Sequence, residues 1–126
     1  EYAARAGSSG DFYFGQDVKE LENHAWYDMN SRKQSHAVAQ KRPNPWGLYD
    51  LYGNVWEWVQ DINGDFPLYA QTDPTGPLKG PHRVERGGCS TLGSYACNSH
   101  RRGRCSPSKR STFTGFRLVK SLPVKG

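Results

Sequence analysis

Asp50 and Glu57 bracket the stretch Asp50-Leu51-Tyr52-Gly53-Asn54-Val55-Trp56-Glu57. Two carboxylates with backbone carbonyls between them in a turn form a donor set that suits a hard cation. Calcium takes about six to eight such oxygens at about 2.3–2.6 Å. The plainer alternative is an ion pair with Arg86, Arg102 or Arg117, because a buried carboxylate needs a cationic or hydrogen-bonding partner. Cys89, Cys97 and Cys105 are the other reactive side chains. An odd count cannot pair fully within the chain. None of them forms a C-x-x-C pair, which argues against structural zinc. They read as free or partly buried thiols of a reducing compartment.

Charge is unevenly spread. Residues 1–85 hold 8 Lys+Arg against 12 Asp+Glu, a net −4, while residues 86–126 hold 9 Lys+Arg and no acid, a net +9. Such a basic stretch attracts phosphates or an acidic protein surface. The expected partner is therefore a protein or other macromolecular ligand of acidic or anionic character, with nucleic acid as an alternative. The competing reading is that two or three of these arginines are structural and paired with carboxylates of the first part.

The elements that must position these groups are short. At 126 residues the chain has room for one domain. Mean hydropathy is low, at −0.85, yet four Trp, seven Tyr and five Phe can still build a core. Fourteen Gly and eight Pro imply many turns. No apolar run approaches membrane-spanning length. Residues 1–6 read as the end of a helix stopped by Gly7, so upstream residues are expected. Residues 17–28 predict a short helix with Asp17 as N-cap and Leu21, Ala25 and Met29 on one face. Residues 37–40 predict a short strand, and residues 55–58 an extended segment. Residues 62–82 read as loop, with turns at Asn63-Gly64 and Asp73–Pro77. Residues 83–86 predict a strand ending at Gly87-Gly88, and residues 115–120 a closing strand. Residues 89–114 are polar and show no clear period. Together they describe an α+β domain of short strands and long loops, and long ordered loops usually carry function.

Four segments resemble one family in order and spacing: Glu1-Tyr2-Ala3-Ala4-Arg5-Ala6-Gly7, Asn44 to Trp58, Arg83 to Gly88, and Gly115-Phe116-Arg117-Leu118-Val119. Gly53-Asn54-Val55-Trp56-Glu57-Trp58 is the most specific of them. The family is that of the formylglycine-generating enzymes, or sulfatase-modifying factors. The resemblance implies a C-type lectin-like fold, with residues 1–126 as the C-terminal part of one domain whose N-terminal part is missing. A second polypeptide segment is then expected to cover the apolar surface left bare.

The resemblance also implies chemistry. Carried over position by position, calcium ligands would be Asp50, the carbonyls of Gly53 and Val55, and Glu57. The family's oxidases hold copper through two cysteines five residues apart. Cys97 fits the second, but the first falls at Leu92, and one thiolate makes a poor copper(I) site. Cys97 then reads as a small buried core residue. Another branch uses histidine-ligated iron, and His24, His36, His82 and His100 show no i, i+4 pair for it.

Residues 89–114 depart from the usual pattern while keeping its anchors, Gly88, Cys97, Ser99, Arg102, Pro107, Arg110 and Gly115-Phe116-Arg117. This looks like the variable region of a diversity-generating retroelement variable protein. In such systems adenines are randomised, mostly in asparagine codons, which then cannot yield Trp, Met, Gln, Glu or Lys. The stretch contains none of the first four and only one Lys, Lys109. The candidate ligand-binding positions are Ser90, Thr91, Leu92, Gly93, Tyr95, Ala96, His100, Arg101, Gly103, Arg104, Cys105, Ser106, Ser111, Thr112 and Phe113. Tyr95 and Phe113 would supply rigid apolar contact area, and His100, Arg101 and Arg104 charge. The expected function is ligand display on a fixed scaffold. The alternatives are a formylglycine-generating oxidoreductase and an anion or nucleic-acid binder.

Overall fold

The computed structural model describes residues 1–72 and 74–120. One four-stranded sheet organises them, in the order β3-β2-β1-β4. Its strands are β1 (Trp56–Ile62), β2 (Arg83–Arg86), β3 (Arg102–Cys105) and β4 (Thr114–Gly115). β1 and β2 run antiparallel, with Glu57 opposite Arg86 and Trp58 opposite Glu85, and the register slips before Ile62 meets Arg83. β2 and β3 are antiparallel over all four residues, with Glu85 opposite Gly103. β4 lies parallel to β1, with Trp56 beside Thr114. The helices are single turns: α1 (Tyr2–Arg5) and α2 (Leu21–His24). Asp17 caps a 3-10 turn at Val18–Glu20 through the Lys19 amide, 3.0 Å away. The α+β expectation holds, as do the strand at 83–86 and the extended segment through Trp56 and Trp58.

Four local expectations need correction. The helix from Asp17 ends at Ala25, which is extended. Leu21 and Ala25 are therefore buried, but Met29 lies beyond the helix and is exposed. Residues 37–40 form a turn, with Ala39 at φ 62 and Val38 exposed, instead of a strand. The closing strand is cut to Thr114–Gly115; Phe116, Leu118 and Val119 point to solvent. β3 was invisible in the sequence because Arg102-Gly103-Arg104-Cys105 has neither β-branched residues nor an apolar alternation. Asp73, where the Asp73–Pro77 turn is expected to begin, lies outside the described residues.

The core is aromatic. Phe12, Leu21, Ala25, Tyr27, Tyr52 and Cys97 form one buried cluster, with Tyr13 and Phe14 packed against it. The Tyr52 hydroxyl accepts from the Tyr13 amide (2.9 Å) and pairs with the Ser99 hydroxyl, so its polar end is satisfied. Tyr13 Oη meets His24 Nδ1 at 2.8 Å, and burial holds the His24 pKa down.

Gly53-Asn54 is the junction of the fold. The Gly53 amide donates to Gly87 O (2.8 Å) and the Asn54 amide to Trp26 O (2.7 Å). Asn54 O accepts from the Ser90 amide (2.9 Å). The buried Asn54 side chain takes the His36 amide (2.8 Å) and donates to His36 O (3.0 Å). Gly53 has φ +70, and a Cβ there would sit 2.1 Å from Trp26 O. Gly53→Ala is expected to destabilise the protein by more than about 3 kcal/mol, because backbone must move as well as strain be absorbed. Asn54→Ala is expected to cost about 2 kcal/mol or more, by leaving both polar groups of His36 unpaired. Urea unfolding followed by Trp fluorescence measures both.

Candidate ligand-binding site

Sheet pairing brings distant parts of residues 89–114 together. β3 sits beside β2, and the Trp56 amide donates to Phe113 O at 2.8 Å, which draws the 111–114 segment against β1. The 89–97 loop leaves β2 through Gly87-Gly88. Gly88 is at φ +76, and a Cβ there would meet Cys97 Sγ at 2.7 Å and Ala96 O at 2.8 Å. The loop is thus folded tightly back over its own start. Cys97, buried beneath it, lies 3.8 Å from Cys89 O.

These contacts enclose a cleft of about 220 Å³. Six of the fifteen candidate positions line it: Thr91, Leu92, Arg104, Cys105, Ser111 and Phe113. Five residues outside the candidate set share it: Trp56, Glu85, Cys89, Lys109 and Thr114. Trp56 and Glu85 belong to family-like segments that read as scaffold, and only the β1–β2–β3 register reveals that they form a floor. Lys109 stood out in the sequence as the one residue that randomised asparagine codons cannot encode.

The other candidates separate by burial. Tyr95, His100, Arg101 and Thr112 are exposed but lie outside the cleft lining. His100 Nδ1 is 3.4 Å from Asp11. Ser106 bonds Ser108 through their hydroxyls at 2.9 Å. Gly93 packs under the ring of Tyr95. Three candidate positions are buried. Ser90 is fully buried, because its amide and carbonyl are both taken by the frame, from Asn54 and Ser31. Ala96 is buried, since its amide closes a turn onto Gly93 O beside Gly88. Cys105 is buried at the end of β3 and reaches the cleft only as part of its wall. Gly103 is also constrained: a Cβ would come within 2.9 Å of Glu85 Cγ and 3.1 Å of the Trp56 ring.

Glu85 is the chemically distinctive group of the floor. It is 8% exposed, and Thr114 Oγ1 donates to its Oε2 at 3.2 Å. Burial raises its pKa, while the Thr114 bond and the charge of Lys109 pull it down less strongly. Oε1 accepts no hydrogen bond among the described residues.

The basic residues sort into two groups. Arg86 binds Glu1 (2.8 Å) and the carbonyls of Ser99 and His100. Arg102 donates to Gly64 O at 2.8 Å and covers the Phe66 ring. Arg117 grips Glu57 with two bonds, at 2.9 and 2.7 Å. Arg86 and Arg117 are thus paired with carboxylates of the first part of the chain. Arg101, Arg104, Lys109 and Arg110 are exposed and have no acidic partner among the described residues.

At Asp50 to Glu57 the guanidinium of Arg117 stands in the place of a cation. Besides Glu57 it donates to Tyr49 O at 2.8 Å. Both Glu57 oxygens are engaged, so a divalent ion bound by Glu57 would have to displace Arg117. Asp50 Oδ2 accepts from the Ala39 amide (2.8 Å), and its buried Oδ1 has no partner among the described residues. Glu57 is thus held by Arg117, while Asp50 keeps one buried oxygen without a partner among the described residues. At the position expected for copper, Cys97 lies 4.0 Å from the carbonyl of Leu92, and burial pushes its thiol pKa up to about 12.

Residues 1–122 match the family profile of the sulfatase-modifying factor enzyme 1-like domain. The chain belongs to that family. It is 34% identical to the formylglycine-generating enzyme of Streptomyces coelicolor, over 98% of this chain and 45% of the enzyme. It is 45% identical to serine/threonine-protein kinase pkn1 of Chlamydia pneumoniae, over 64% of this chain but 14% of that protein. Among solved structures, Treponema denticola variable protein 1 superposes with a TM-score of 0.86 at 37% identity, covering 91% of this chain and 42% of that one. PvdO from Pseudomonas aeruginosa superposes at 0.78 with 30% identity, covering 91% and 47%. The chain spans less than half the length of each of these relatives. The fold expected from the family-like segments is the one found, and its likeness to a variable protein is close.

The Cys97 thiol gives a pH test with a definite sign. In the unfolded chain a thiol ionises near 9.0, and in the folded protein Cys97 resists until about 12. Its contribution to stability is complete below 9.0 and is lost as pH rises through that window. The urea midpoint of the parent is expected to fall more between pH 9 and pH 11 than that of Cys97→Ala. A thiol reagent at pH 8 is expected to leave Cys97 unmodified until denaturant is added.

Proposed function

We propose that this domain binds a ligand through side chains that are free to differ from one copy of the gene to another, on a frame that is not. The carrying observation is convergence. Thr91, Leu92, Arg104, Ser111 and Phe113 are scattered over the acid-free stretch of the sequence, yet they line one cleft. Exposed Tyr95, Arg101 and Thr112 belong to the same stretch. Frame residues interleaved with them, such as Gly88, Cys97 and Ser99, are buried. Loops held in this way tolerate new side chains, while the anchors preserve the fold. The likeness to Treponema denticola variable protein 1 supports the same reading.

An oxidase reading is weaker on chemical grounds. Leu92 has no ligand to offer where the copper pair needs its first thiolate, and the single thiolate left makes a poor copper(I) site. The exposed apolar side chains Phe66, Leu68, Leu78, Leu118 and Val119 support a second polypeptide segment packing on the domain. Among the described residues no helix is long and apolar enough to cross a membrane.

A combinatorial library tests the proposal. Randomising Thr91, Arg104, Ser111 and Thr112 together is expected to leave most clones cooperatively folded, each change within about 0.5 kcal/mol of the parent. Thermal unfolding of purified clones measures this. Widespread unfolding, or one unchanged binding profile across all clones, would remove the basis for a diversified surface. A second test is genomic: an adenine-rich near-copy of the codons for 89–114 beside a reverse-transcriptase gene is expected.

A further inference from the structure

We infer that the ligand of the cleft is an acidic peptide segment, its carboxylates meeting Arg104 and Lys109 while one of its N–H groups meets Oε1 of Glu85. This rests on the cleft being the binding site and specifies what the site takes. The first argument is charge that the fold leaves over. No acid follows Glu85 in the sequence. Arg86, Arg102 and Arg117 are held by internal partners, whereas Arg104 and Lys109 line the cleft with none among the described residues. Arg101 and Arg110 are exposed in the same two chain segments. Cations without an ion-pair partner around one opening steer and hold an anionic partner.

The floor decides which anion. Glu85 is buried, has one hydroxyl donor, and leaves Oε1 without a partner among the described residues. Gly103 lies opposite Glu85 in the strand register and brings no side chain over it, so the carboxylate is part of the cleft lining. A phosphate entering the cleft would meet that carboxylate, whereas an amide N–H would find an acceptor. Trp56 and Phe113 offer apolar surface beside it. At about 220 Å³ the cleft suits one side chain of a longer ligand and not a whole small-molecule cofactor. An extended peptide with carboxylates flanking an apolar residue supplies all three features; a nucleic acid also has N–H donors, but it carries a phosphate at every nucleotide, whereas spaced carboxylates can be kept away from Glu85.

The test is to pan a phage library of random linear peptides on the full chain and measure the enriched sequences by fluorescence anisotropy. Enriched peptides are expected to carry two or more Asp or Glu around an apolar residue. Their binding is expected to weaken steeply with added salt, and to fall about tenfold in each of Arg104→Glu and Lys109→Glu. Glu85→Gln keeps an acceptor and drops a charge, so it is expected to tighten binding; Glu85→Leu is expected to weaken it about tenfold. Circular dichroism confirms folding of each variant, and the Gln variant carries the Glu85 argument if the Leu variant unfolds. Neutral or basic peptides that bind the parent and are lost in Phe113→Ala would overturn the acidic ligand but keep the cleft. Peptides indifferent to Arg104, Lys109 and Phe113 changes would overturn both. An oligothymidine strand that displaces the peptides and weakens with the same charge reversals would overturn the peptide in favour of nucleic acid.

Discussion

Everything in this domain hangs from the close passage of Gly53 and Asn54 beneath Trp26. The Trp26 carbonyl occupies the space where any side chain at position 53 would stand, and it receives the Asn54 amide. Four chain segments are fastened there: 26, 36, 87 and 90. A domain with single-turn helices and strands of two to seven residues has few repetitive hydrogen bonds to rely on. It substitutes side-chain to backbone bonds at fixed points, and a buried asparagine with both ends satisfied is well suited to that role. This also explains why so polar a chain folds: the rings around Tyr52 supply apolar area, and the asparagine junction supplies register.

The shape of the candidate surface follows from the same constraint. Because Ser90 N–H is bound to Asn54 and Gly88 presses against Cys97, the start of the 89–97 loop has no freedom left. Cys97, Asn98 and Ser99 are buried too, with Ser99 held by Asp11 O and the Tyr52 hydroxyl and Asn98 by Tyr95 O. What the frame does not use points outward, as Tyr95 and Arg101 do, or into the cleft, as Thr91 and Phe113 do. Rigidity and tolerance are two sides of one arrangement, since a loop fixed through its backbone does not depend on what its outward side chains are.

The fold was legible in the sequence wherever a residue type had one physical use. Gly53-Asn54-Val55-Trp56-Glu57-Trp58 and the Arg83–Gly88 strand fall where they were expected. Legibility failed where burial depends on partners far along the chain. Leu21 and Met29 look equivalent by helical spacing, but the helix stops at Ala25 and only Leu21 reaches the core. Ser90 and Ala96 look like surface residues by size and polarity, yet their backbone bonds pull them inward. In the sequence Glu85 is simply the last acid before a basic stretch. That it becomes the cleft floor depends on Gly103 lying opposite, a register no local pattern announces.

The arginines show why composition alone misleads about partners. A net +9 over residues 86–126 suggests a uniformly basic patch, but the fold removes Arg86 and Arg117 into ion pairs with Glu1 and Glu57 and turns Arg102 onto Phe66. The Arg117 fork binds Glu57 with planar bidentate bonds and also reaches Tyr49 O. The charge left for a partner is therefore smaller and more local than the sum implies. It lies with Arg104 and Lys109 beside a buried carboxyl, and under the proposed binding role that juxtaposition of unlike charges would sort anions more than the basic total does.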